Sequence, residues 1–180
     1  MEVMEAARIQ PAWSQRKIQQ LADLRWLSNS QQTAGFLDDA KFLLIFEADP
    51  LAQVRVIKHG MSPAIVEQIA ERMHVSKDKL LTTLGLARAT VQRKTSRRKP
   101  LSADESSRVL GISRLIGQVR ALVEQSGDAS GFDAARWVAG WLDQPLPALS
   151  GIAPAQLMDT AEGQAIVAQV VARMQSGVYA

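Results

Sequence analysis

Residues 75–100, "VSKDKLLTTLGLARATVQRKTSRRKP", decide how this chain is read. Ser76 is placed to cap a helix, because a serine hydroxyl can accept from an N–H of the first turn that has no helical partner. Leu80, Leu81 and Leu84 then recur at helical spacing, and Gly85 supplies the backbone freedom that a tight turn needs. A second short helix follows, carrying Arg88, Thr90, Val91, Gln92 and Arg93. Short helix, glycine turn, short helix is the helix-turn-helix pattern, whose second helix enters the major groove of DNA. Val91, six residues beyond the turn glycine, is where that helix must return an apolar side chain to the core. Two positions depart from the usual pattern. Ala87 leaves the second helix without a side-chain cap, at a cost of about 1 kcal/mol, and Leu81 is bulky where the two helices pack closest.

Charge points the same way. Between residues 88 and 99 stand Arg88, Arg93, Lys94, Arg97, Arg98 and Lys99, with no acid among them. Without these six cations the net charge of +3 becomes −3, so the positive sign is local to this stretch. Such a cluster neutralises phosphates and releases counterions, which makes binding sensitive to salt. The expected DNA contacts are Arg88, Thr90, Gln92 and Arg93, with base edges favoured at the helix start, and Lys94, Arg97 and Arg98 on phosphates.

The flanks read as helix throughout, so an all-α fold is expected. Asp49-Pro50 is a cap followed by proline at the first helical position. Leu51, Val54 and Ile57 then share a face, and Gly60 closes that helix. Ser62-Pro63 repeats the start signal ahead of Ile65, Val66, Ile69 and Met73. Residues 41–46, "KFLLIF", fit a strand and a buried helix equally well. Ser102 and Glu105 have capping-box spacing and open a helix through Val109, Ile112, Ile116, Val119 and Val123. That helix breaks at "SGDASG", residues 126–131. We divide the chain accordingly into an N-terminal helical extension (1–48), a helix-turn-helix domain (49–125) and a C-terminal module (126–180). In the extension, Ile18, Leu21 and Leu24 fall on one helical face, and Trp13 and Trp26 read as packing residues.

At 180 residues with 47% hydrophobic content, the chain is long enough for a real core. It has no cysteine, which removes disulfides and thiolate metal sites, and His59 and His74 lack metal-ligand spacing. No nucleophile–base set and no phosphate-binding glycine loop stands out, so neither an enzyme nor a cofactor is expected. No apolar run reaches membrane-spanning length, and the acidic N-terminus is unlike a secretory signal. A cytoplasmic protein is therefore expected.

The C-terminal module carries Trp137 and Trp141 one turn apart. Pro145 and Pro147 then favour an extended segment, and Pro154 opens a short helix ending near Met158. Asp159 or Thr160 caps a last helix whose apolar stripe is Ile166, Val167, Val170, Val171 and Met174. Gly177 suits a left-handed helix end. Val178, Tyr179 (the one tyrosine) and Ala180 follow.

Trp141, Leu142, Pro145, Leu149, Gly151, Pro154, Leu157, Thr160, Gly163, Val167, Arg173 and residues 177–180 resemble, in order and spacing, the toxin-binding domain of the Xre/MbcA/ParS antitoxins. Residues 60–86 and "TVQR" (90–93) resemble the Xre-type helix-turn-helix that precedes it, so the likeness covers roughly residues 50–180. It implies an Xre-like helix-turn-helix domain followed by a small helical toxin-binding domain. It also implies a RES-type toxin that consumes NAD or transfers ADP-ribose from it, with Val178, Tyr179 and Ala180 occluding the NAD pocket. Toxin contacts are then expected at Trp141, Arg173, Gly177, Val178, Tyr179 and Ala180. Operator DNA and a second copy of the chain, within a larger toxin–antitoxin complex, complete the expected partners. The alternative is a stand-alone helix-turn-helix repressor whose C-terminal module only dimerises.

Overall fold

A computed structural model describes residues 24–29, 37–127 and 129–175, and among them there are eight α-helices and no β-strand. A 3-10 turn, Leu24–Ser28, precedes α1 (Asp39–Glu47), α2 (Pro50–His59), α3 (Ala64–Arg72), α4 (Lys77–Thr83) and α5 (Arg88–Ser96). Then come α6 (Ala103–Ser126), α7 (Ala134–Leu142), 3-10 turns at Pro147–Leu149 and Pro154–Leu157, and α8 (Ala161–Gln175). Ile18, Leu21, Trp13 and the C-terminal residues from 176 onward lie outside the described residues. Leu24 and Leu27 are buried, and the Ser62 N–H donates to the Leu27 carbonyl at 2.8 Å, tying this short turn to the start of α3.

The 24-residue helix α6 is the spine, and α1, α2, α7 and α8 all pack on it. Its start is the expected capping box. The Glu105 N–H donates to the Ser102 hydroxyl at 3.2 Å, and the Ser102 N–H donates to the Glu105 carboxylate at 2.6 Å. "KFLLIF" is helix, lying within α1 with Phe42 and Ile45 fully buried. The close approach of α1 to α6 depends on Gly117, where an added Cβ would lie 2.1 Å from the Phe42 carbonyl oxygen. Asp39, at the start of α1, pairs with Arg72 of α3 at 2.8 Å and with Arg120 of α6 at 3.3 Å.

Helix α2 departs from its hydrophobic pattern. Asp49 caps it as expected, accepting from Leu51 and Ala52, but Leu51 is 65% and Val54 45% exposed while Ala52, Gln53 and Val56 face the core. The buried amide of Gln53 donates to the carbonyls of Ile45 and Ala48 at 3.2 and 3.1 Å. These oxygens at the end of α1 need donors, so a polar residue takes the inward position that apolar spacing alone would have given to leucine.

In the C-terminal module, Thr160 is the cap of α8, accepting from the Gly163 N–H at 3.0 Å. Residues 146–152 close into a loop instead of running extended. The Leu146 N–H reaches the Ile152 carbonyl at 3.2 Å, and the Gly151 N–H returns to Leu146 at 2.9 Å. Ser150 and Gly151 at positive φ make that reversal. Of the expected stripe, Val167, Val170 and Val171 are buried, whereas Ile166 and Met174 at its two ends are each 45% exposed.

Two glycines of these helices predict opposite responses to alanine. Replacing glycine by alanine in a helix interior normally stabilises by about 0.5–1 kcal/mol. Gly140→Ala, with nothing within 4 Å of the new methyl, should raise the melting temperature. Gly117→Ala should lower stability by about 1–3 kcal/mol through overpacking. A Gly117→Ala protein that melts higher than the wild type would refute the close packing of α1 on α6.

Candidate functional site

The helix-turn-helix is built from α4, its turn and α5. Ser76 caps α4, accepting from the Lys79 N–H at 3.1 Å. Gly85, at φ 59°, turns the chain, and the Leu86 N–H closes back on the Leu81 carbonyl at 2.8 Å. This left-handed helix end is of the Schellman type. Leu81, Leu84, Leu86 and Val91 are all buried, so the bulk of Leu81 is accommodated in the core and Val91 anchors α5 as expected. Ala87 gives α5 no side-chain cap.

The predicted DNA residues fall into two groups. Gln92, Arg93, Arg97 and Arg98 are exposed, and no described residue pairs with the three guanidinium groups. Arg93 and Arg97, four residues apart, share one face of the helix end. Arg88 is also exposed but meets Asp78 at 2.7 Å across the motif. Such an open pair contributes little to stability and leaves the side chain available to phosphate. Thr90 is half-buried. Lys94 turns inward onto Glu105, the capping carboxylate of α6, with both side chains largely covered at 19% and 13% exposure. Burial alone would raise the Glu105 pKa, but the Lys94 ammonium and the Ser102 donors outweigh it and hold the carboxyl below its ordinary value. Lys94 therefore secures the end of the recognition helix to the spine.

A residue that the pattern did not single out holds the turn. Arg108 of α6 donates through Nη1 to the carbonyls of Leu84 and Gly85 at 2.8 and 2.7 Å, and through Nη2 to Asp104. The one signal available in the sequence was the Asp104/Arg108 spacing of four on a capped helix. It indicates a local pair and says nothing of the distant turn.

The second surface lies on α7, α8 and the 146–152 loop. Trp141 is only 6% exposed and stacks on Trp137 with ring centres 5.7 Å apart and planes at 13°. It forms the floor of an apolar groove of about 260 Å³ with Leu146, Pro147, Ala148, Val170 and Met174. Met174, itself 45% exposed, separates this groove from another of about 380 Å³ walled by Leu122, Phe132, Trp137 and Val171. Arg173 is exposed in the last turn of α8. Gly177, Val178, Tyr179 and Ala180 lie outside the described residues. Among the described residues no acidic, histidine or cysteine group is arranged to hold a metal, and no helix is long and apolar enough to cross a membrane.

Glu105→Gln and the wild type should differ in stability by about 1 kcal/mol, the worth of a helix cap. Because the folded-state pKa of Glu105 is depressed, this advantage is fully present above the unfolded value near 4.5 and is lost as pH falls through the folded one. Urea unfolding of both proteins between pH 7 and pH 3 checks it. A gap that stays constant across that range would remove Glu105 ionisation from the account.

Residues 52–114 match the model of the antitoxin Xre-like helix-turn-helix domain. Residues 119–177 match that of the antitoxin Xre/MbcA/ParS C-terminal toxin-binding domain. A protein of Sphingobium sp. (strain YBL2) named Prs ADP-ribosylating antitoxin is 42% identical over 136 residues, covering 76% of this chain and 86% of that one. Antitoxin Xre of Photorhabdus laumondii subsp. laumondii is 23% identical over 123 residues, covering 68% of this chain and 78% of its own. Helix α5 and Arg108 fall inside the first matched region, and every residue lining the two grooves falls inside the second.

Proposed function

The chain belongs to the Xre/MbcA/ParS antitoxin family, with an Xre-like helix-turn-helix domain and a toxin-binding domain, and on that premise we propose that it neutralises a NAD-consuming RES-type toxin and represses its own operon. A toxin partner follows from the family. The name of the Sphingobium relative refers to ADP-ribosylation, a reaction that draws on NAD and agrees with a toxin of this class. The protein itself acts by binding and not by catalysis, in the cytoplasm, without a cofactor.

The observation that carries this reading is the presence, in one chain, of two unlike surfaces. One is an exposed cationic helix, α5. The other is an apolar groove pair built entirely from the toxin-binding region and ending at Met174. Arg88, Gln92 and Arg93 would meet base edges and phosphates, with Arg97 and Arg98 on the backbone. A homodimer would read paired half-sites. The toxin would seat on the grooves, with Trp141 forming the floor of one, Trp137 a wall of the other and Arg173 at the rim. Residues 177–180, which begin three residues beyond Met174, would enter the toxin's NAD pocket. A buried tyrosine covers about 150–250 Å², enough for Tyr179 to anchor such a plug.

Co-expression with the neighbouring gene's product tests neutralisation. The full chain should restore growth, and a chain ending at Gly177 should fail to do so while still binding through the grooves. Rescue by the shortened chain would place neutralisation on the helices alone. Arg93→Ala should weaken operator binding and lower the slope of log affinity against log salt by about one, leaving neutralisation intact. A full chain that binds no toxin yet reads a palindromic operator would instead identify a stand-alone repressor.

A further inference from the structure

Two stretches of chain far apart in sequence meet just beyond the recognition helix. Gly60, which closes α2 at φ 92°, lies against Pro100 and Leu101. A Cβ there would sit 2.8 Å from the Pro100 Cβ and 2.5 Å from the Leu101 carbonyl oxygen. The Leu101 N–H donates to the Met61 carbonyl at 2.9 Å and fixes the two segments side by side. Lys58 and His59, in the last turn of α2, are thereby brought near Lys99, the last cation of the basic run. All three side chains are exposed, as are those of Arg97 and Arg98, and none of the five has a partner among the described residues. The acids closest in sequence are engaged elsewhere, Glu105 by Lys94 and Asp104 by Arg108, while Asp49 caps the opposite end of α2. Arg98 adds a conformational sign. It stands at φ 51°, a left-handed conformation that strains most residues other than glycine. That reversal lets the Lys99 N–H close back on the Lys94 carbonyl at 2.9 Å and turns the chain toward α2.

We infer that Lys58 and His59 of α2 join Arg98 and Lys99 in a clamp on the DNA phosphate backbone, outside the stretch that α5 reads. This rests on the DNA binding proposed above and adds a contact site that lies ahead of the motif in sequence. Position and charge favour a nucleic-acid phosphate over another anion. The patch continues from the face of α5 that carries Arg93 and Arg97. In the homeodomain variant of this motif, the far end of the reading helix lies on the backbone. Such contacts set register and orientation without reading sequence. Lys94 is committed to Glu105, so the charge available at this end comes from residues 97–99 and from α2. The donors are also suitable. An ammonium carries three rotatable N–H groups, and an imidazole has an N–H to offer in either protonation state. Cations in a last helical turn also suit the helix dipole. That explains Lys58 and His59 on α2 taken alone, but not their meeting Lys99 with no acid pairing any of the three.

The test measures affinity of the full chain, over a range of salt, for a duplex from upstream of its own coding sequence and for an unrelated duplex of equal length. Lys58→Gln and Lys99→Gln each remove one phosphate contact. Each should weaken binding to both duplexes alike, by about fivefold to tenfold at about 0.1 M salt. Each should also lower the slope of log affinity against log salt by about one, and the double variant by about two. His59→Ala should weaken both duplexes as well. Hydroxyl-radical footprints of the variants should lose protection at the outer edge of the site and keep it where α5 reads. The substituted side chains are exposed, so melting temperatures should stay at the wild-type value. A dipole role alone would instead shift melting and leave the salt slope untouched. A double variant that matches a DNA-binding wild type in affinity and slope overturns the inference and leaves the operator reading standing. So does a loss confined to the upstream duplex, which would make these residues base readers. Weakened binding to the neighbouring gene's product with DNA binding intact also overturns it, giving the patch to a protein partner. A wild type that binds neither duplex removes the proposed operator binding itself, and the clamp with it.

Discussion

One carboxylate, that of Glu105, satisfies two demands that would otherwise fall on separate groups. A helix start exposes N–H groups with no intrahelical partner, and the spine α6 begins at the point where the basic stretch returns to the core. Glu105 accepts from the Ser102 N–H and also from the Lys94 ammonium of the recognition helix. The spine therefore begins, and the recognition helix ends, on the same charge. Met61 adds a third strand of chain at this point, accepting from the Leu101 N–H and donating to the buried Ser106 hydroxyl, each at 2.9 Å. From this corner α6 can run straight for 24 residues and serve both halves of the molecule.

That shared spine explains why the two matched regions do not behave as beads on a linker. The family boundary falls between residues 114 and 119, inside α6 with no loop to mark it. Helix α1 lies along this helix over Gly117, and α8 lies along it with Gln164 seated over Gly111. The missing side chains at these two positions admit a neighbouring backbone in one case and a neighbouring amide in the other. Both halves thus share a core through positions defined by what is absent from them.

Much of this was legible from local chemistry. The caps at Asp49, Ser76 and Ser102, the turn at Gly85 and the anchor Val91 each follow from a residue type suited to one backbone position, and each is found there. What could not be read depends on a neighbour distant in sequence. Nothing near Gln53 announces that two carbonyls at the end of α1 await its amide, so the outward turn of Leu51 and Val54 was invisible. In the basic stretch, charge pattern alone could not separate Lys94, committed to Glu105, from Arg93 and Arg97, which remain outward. The tryptophans are similar: their spacing placed them on one face of α7, but only packing shows Trp141 as the floor of a groove. Residue identity described the polar surface of α5 well and the apolar surface of α7 and α8 poorly, because a groove is a property of gaps between side chains.

The stacked pair Trp137 and Trp141 also gives the molecule a built-in optical reporter. Two indoles with centres 5.7 Å apart and nearly parallel planes lie within the distance at which their electronic transitions interact. Their combined near-ultraviolet dichroism is then a signature of mutual orientation, and not a sum of two isolated chromophores. Trp137 walls one groove and Trp141 floors the other, so a protein seated there would alter both the polarity and the geometry sensed by the pair. Events at this surface can thereby be followed in the unlabelled chain, through chromophores that folding itself has aligned.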